Sequence, residues 1–67
     1  MSEENSYQWL KDCIIRYVKY LETEYGLKSG GKYFDLIEYC YDSNPDNPDF
    51  KTGMDLLKIY RKVLNNT

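Results

Sequence analysis

The polar residues around the second break in this chain come closest to a chemical motif. Asp42, Asn44 and Asp46 stand at the first, third and fifth positions of an EF-hand-like loop, with Asn47 at the sixth, turn-forming position. The pattern then fails. Asp49 occupies the eighth position, where an apolar residue belongs, and Gly53 the twelfth, where a bidentate Glu belongs. The segment therefore reads as a turn whose Asp and Asn side chains bond their own backbone. No metal and no cofactor is expected.

The remaining inventory is short. The chain has no histidine, which removes the commonest general base and the commonest zinc ligand. Cys13 and Cys40 lack CxxC spacing, and two thiols are two ligands short of a tetrahedral zinc site. They read as free, partly buried thiols in a reducing compartment. No apolar signal-peptide core precedes them, so a cytoplasmic location is expected. No GxGxxG or P-loop pattern occurs, and Gly30-Gly31 is a flexible turn before a helix. Catalysis is not expected.

Binding is the chemistry that remains. Eight of the 67 residues are Tyr, against two Phe and one Trp. Tyr is enriched at interfaces, where its ring is covered and its hydroxyl stays wet. Net charge is −2, too small for long-range steering, but its placement is uneven. From Tyr33 to Phe50 there are five acids and no base: Asp35, Glu38, Asp42, Asp46 and Asp49. From Lys51 onward, Lys51, Lys58, Arg61 and Lys62 face the single acid Asp55.

These residues must be positioned by helices. No segment alternates with period two, and two breaks, Tyr25–Gly31 and Ser43–Asp49, separate three stretches with apolar residues at helical spacing. The expectation is an all-α, compact three-helix bundle in one domain, 1–67, with helices at about 6–25, 32–42 and 50–64. No stretch is long enough to cross a membrane.

In the first helix Asn5 or Ser6 reads as the cap, Asn5 forming a loose box with Gln8. Gly26 reads as the left-handed stop, followed by Leu27 as its apolar contact. Leu10, Ile14, Tyr17, Val18, Leu21 and Tyr25 form the inner face, widened by Trp9, Cys13 and Tyr20. In the second helix Tyr33, Phe34, Leu36, Ile37, Cys40 and Tyr41 point inward. Asp35, Glu38 and Asp42 line the opposite side, and Tyr39 is exposed. The third helix has two competing starts, Asn47-Pro48 and Thr52 with Asp55. Gly53 weakens the earlier one. Leu56, Leu57, Ile59, Tyr60, Val63 and Leu64 form its inner face.

The function this pattern suggests is a small protein-binding module that modulates or inhibits a larger partner with a basic surface. Asp35, Glu38, Tyr39, Asp42, Asp46 and Asp49 would carry the contact. Trp9, Arg16 and Tyr20 form a second candidate surface. A composition rich in Lys, Asn, Tyr and Ile is common in AT-rich genomes, phage and other mobile elements included. One alternative is DNA binding by the basic third helix. The pI near 4.9 and the neighbouring acid stripe oppose it, because phosphate neutralisation dominates such binding. Another is a homo-oligomer in which the acid stripe of one copy meets the basic stripe of the next.

Overall fold

A computed structural model describes residues 3–66, with side chains from Tyr7 onward. Three helices make up the fold: α1 (Glu3–Tyr25), α2 (Tyr33–Ser43) and α3 (Pro48–Asn65). The expected three-helix bundle is what forms. Helix α1 already runs through Asn5 and Ser6, so neither opens it. The side chains of the expected Asn5–Gln8 box lie in part outside the described residues.

The helix ends follow local chemistry. Gly26 takes φ +66°, and the Leu27 N–H donates back to the Glu22 carbonyl at 3.0 Å, closing a Schellman motif. Leu27 then packs on Leu21, Cys40 and Phe50. The return loop is pinned by the Ser29 N–H, which donates to the Glu22 carboxylate at 2.8 Å. At the other break the Asn47 side chain accepts from the Asp49 N–H at 2.9 Å, with Pro48 in the first helical turn. The earlier of the two starts therefore wins. Asp49 adds a negative charge near the helix N-terminus, where the dipole favours it.

The earlier start brings Phe50 into the buried face of α3. With the helix running from Pro48, Phe50, Gly53, Met54, Leu57 and Tyr60 are buried. Ile59, expected inside, is 49% exposed, because it stands some 200° around the helix from Leu57. Leu64 points inward but overhangs the end of the bundle and is also exposed. Gly53 does not prevent that start. It sits where α3 meets both α1 and α2, and a Cβ there would lie 3.4 Å from the Tyr17 ring and 3.5 Å from Ile37.

Contacts fix the direction of the helices. Tyr7 and Phe34 both stack on Tyr60, Tyr17 and Ile37 both meet Gly53, and Leu21, Cys40 and Phe50 form one cluster. Hence α1 and α2 run the same way, and α3 runs antiparallel to both. Residues 26–32 carry the chain back along α1. Ile14, Val18, Leu21, Ile37 and Leu57 are almost wholly buried in the core. Among the described residues, no helix is long and apolar enough to cross a membrane.

Candidate interaction surface

The acidic residues singled out from the sequence divide into two groups. Asp49 is half-buried in the seam between α1 and α3. Its backbone carbonyl accepts from the Tyr17 hydroxyl at 2.8 Å. Its carboxylate accepts from the Tyr25 hydroxyl at 2.7 Å and from the Tyr20 hydroxyl at 3.4 Å. The Asn47 amide donates to the Tyr25 hydroxyl at 3.2 Å. The rings are packed as well: Tyr25 lies 4.9 Å from Phe50, and Tyr17 lies 5.5 Å from Tyr20, centroid to centroid. Three tyrosines of α1 thus hold the first turn of α3. Tyr25, expected on the inner face, is 40% exposed, because it closes this seam from outside.

Electrostatics agree with the geometry. Burial, then the Asp49 charge, pushes the Tyr17 phenol above its usual range. The Asp49 charge raises Tyr20 first, and the hydrogen bond donated to Asp49 raises Tyr25 first. In each case a phenolate beside this carboxylate is disfavoured.

Glu38 is also engaged. It forms an ion pair with Arg61 of α3, half-exposed on both sides. This pair ties the acidic side of α2 to the basic side of α3.

What is left is an outward stripe. Asp35, Tyr39 and Asp42 lie at i, i+4 and i+7 on α2, along one line of the helix surface. Both acids are exposed and Tyr39 is 67% exposed. Asp46 continues the charge in the exposed turn beyond α2. None of the four has a hydrogen bond or ion pair among the described residues. Asp35 also lines an open cleft of about 430 Å³ with Lys11, Lys32 and Phe34, so its end of the stripe is the less acidic one.

The residues of the second candidate surface share one side of α1 but are less uniform. Trp9, Arg16 and Tyr20 fall within about 40° of one another on α1. Trp9 is 66% exposed and Arg16 exposed, whereas the Tyr20 hydroxyl is drawn toward Asp49.

The turn that resembled a calcium loop is too short to be one. Asp42 is helical, Gly53 is buried in mid-helix, and only Asn44–Asn47 separate α2 from α3. Among the described residues no three His, Cys, Asp or Glu side chains converge on a metal position. Both cysteines are free; Cys40 is buried, and burial pushes its thiol up, while Cys13 is only half-buried.

The role of Asp49 was not foreseen. Its signal in the sequence is the Asn-Pro-Asp run, which puts an acid in the first turn of α3. Nothing local reveals that tyrosines 24 to 32 residues earlier converge on it. Compared with known proteins, the chain matches no family model, no curated sequence and no solved structure.

Proposed function

We propose that this chain is a protein-binding module that acts by docking on a larger protein, whose activity it modulates or blocks. One observation carries the reading. Tyr39 stands two-thirds exposed between Asp35 and Asp42, and none of the three side chains is bonded to another among the described residues. An exposed ring offers contact area at low entropic cost, and flanking carboxylates orient a basic partner and speed its approach. The reading keeps Asp35, Tyr39, Asp42 and Asp46 as contact residues. It assigns Asp49 to the fold and Glu38 chiefly to the α2–α3 ion pair. The partner surface that suits this stripe is basic, with an apolar depression for one ring.

Matched baits test it. The wild-type chain, an Asp35→Lys/Asp42→Lys variant and a Trp9→Ala/Arg16→Ala variant are each immobilised, and captured proteins are compared. A partner retained by the wild type and the α1 variant, and lost with the α2 variant, supports the reading. A partner lost only with the α1 variant moves the contact to Trp9 and Arg16 and overturns it.

A further inference from the structure

We infer that the face formed by α2 and α3 is self-complementary, and that a second copy of this chain docks on it as a closed two-fold dimer. The inference goes beyond the reading above: it takes the same α2 stripe as contact and gives it a second occupant.

The Glu38–Arg61 pair fixes which side of α3 faces α2. Around α3 from Tyr60, Arg61 lies about 100° on, and Lys58, Lys51, Lys62 and then Asp55 follow within about 120° more. All four are exposed. The three lysines form a row on the α2 side of α3 that stays net basic, with Asp55 on its outer edge. On α2 the acidic row is Asp35, Glu38 and Asp42, with Glu38 nearest α3. One face therefore carries an acidic row beside a basic row, joined by one ion pair.

The levels of the two rows also match. Helices α2 and α3 are antiparallel, with Phe34 against Tyr60, Ile37 against Gly53 and Cys40 beside Phe50. Asp42 thus lies level with the turn bearing Lys51, and Asp35 with the turn bearing Lys58. Tyr39 lies between those levels.

Now rotate a second copy by 180° about an axis that runs along the helices in the plane of this face. Left and right exchange while the levels are kept. Each acidic row then faces the basic row of the other copy, Asp42 opposite Lys51 and Asp35 opposite Lys58. Tyr39 falls at the level between the two opposing lysines, where Asp55 of the other copy also lies and can accept from its hydroxyl. The same contacts occur twice, as a two-fold interface requires, and assembly stops at two. A two-fold axis across the helices would oppose acid to acid, so the charges select one arrangement. The dimer covers Tyr39, so a foreign partner would compete with the second copy for the stripe.

Sedimentation equilibrium of the purified chain, whose monomer mass is 8.0 kDa, tests this. At low ionic strength the average mass should rise with concentration and level off at twice the monomer. Raising salt to about 0.5 M should weaken association about tenfold or more, because exposed charges are screened. Asp35→Lys/Asp42→Lys alone should stay monomeric, and so should Lys51→Glu/Lys58→Glu alone. Mixed one to one, the two variants should again give the dimer mass, since one now offers a positive face and the other a negative face. Restored pairing also shows that both variants are folded. A wild-type chain that stays monomeric at about 1 mM overturns the inference, as does a dimer insensitive to salt and to both reversals, or a mass that climbs past two.

The two readings fail separately. A monomeric chain whose foreign partner is still lost with Asp35→Lys/Asp42→Lys refutes the dimer and leaves the docking stripe standing. A dimer that responds as expected, in a chain whose captured partners ignore the stripe, does the reverse.

Discussion

Two parts of this small bundle are built from tyrosine and aspartate, and they are put to opposite uses. Where α1 meets α3, Tyr17, Tyr20 and Tyr25 direct their hydroxyls to Asp49. On the outer side of α2, Tyr39 stands between Asp35 and Asp42 with no such bonds. The difference comes from register. On α1 these rings fall beside a neighbouring helix whose first turn welcomes a carboxylate. On α2 the ring falls on the side away from both neighbours. Residue type alone does not distinguish a tyrosine bonded into the fold from one left exposed; the helix face does.

The sharpest way to break this comparison is to truncate one ring from each region. Tyr17→Ala removes a half-buried ring against Gly53 and leaves the Asp49 carbonyl without its donor. It should lower unfolding free energy by about 2–3 kcal/mol, less than truncation of a wholly buried aromatic. Tyr39→Ala should change it by no more than about 0.5 kcal/mol. Urea denaturation of both variants settles the matter, and equal losses would mean that Tyr39 is also structural.

Alkaline titration separates the regions without truncation. The phenols of Tyr17, Tyr20 and Tyr25 are all raised in the folded chain. A group whose folded value lies above its unfolded value stabilises the fold while it stays protonated. That contribution is whole below the ordinary phenol range, near pH 10, and is lost as pH climbs through the raised values. Thermal midpoints should therefore fall above about pH 10. Tyr25→Phe, which removes the hydroxyl bonded to Asp49, should flatten the fall. An unchanged slope in that variant would detach Asp49 from the tyrosines.

Much of the fold was legible because its determinants are local. Gly26-Leu27 stops α1 through one backbone bond, and Asn47-Pro48 starts α3 through one side-chain bond. The centres of the inner faces of α1 and α2 followed from period alone. Trp9 and Tyr20, also expected to widen the α1 face, are exposed because they stand about 120–140° around the helix from Ile14. The α3 face did not follow from period: Phe50 and Met54, near the two competing starts, are buried, while Ile59, some 200° around from Leu57, is exposed. The direction of α2 was not legible at all. A seven-residue loop can turn the chain back or carry it along α1, and the Glu22 contact with Ser29 that holds it down shows only in three dimensions. The candidate stripe was legible as a stripe. That Glu38 and Asp49 are engaged elsewhere depends on partners 23 to 32 residues distant in sequence.

Gly53 offers a subtler test of how firmly the Tyr17 side of the comparison is held. Ala is better than Gly inside a helix by up to about 1 kcal/mol. The added methyl would touch Tyr17 at 3.4 Å and Ile37 at 3.5 Å, ordinary contact with nothing driven out of place. Gly53→Ala should therefore raise stability by about 0.5–1 kcal/mol. A loss instead would show that the Tyr17 ring cannot yield even a few tenths of an ångström without surrendering its bond to Asp49.

The smallest effects belong to the outer stripe, and there the sign carries the information. Asp35 lies in the first turn of α2, where a negative charge suits the helix dipole. Asp42 lies in the last turn, where it does not, and no basic residue offsets it there. Asp42 also stands four residues after Glu38, a like charge on the same side. Asp35→Asn should lower stability by roughly 0.3 kcal/mol, and Asp42→Asn should raise it by a similar amount. Thermal melts at low ionic strength resolve such differences, and added salt should shrink both. A gain at Asp42 would identify a residue that opposes its own helix, as expected of a charge kept for contact with another molecule. A loss there would mean that Asp42 supports the turn into α3, and the stripe would then be part of the fold, as Asp49 is.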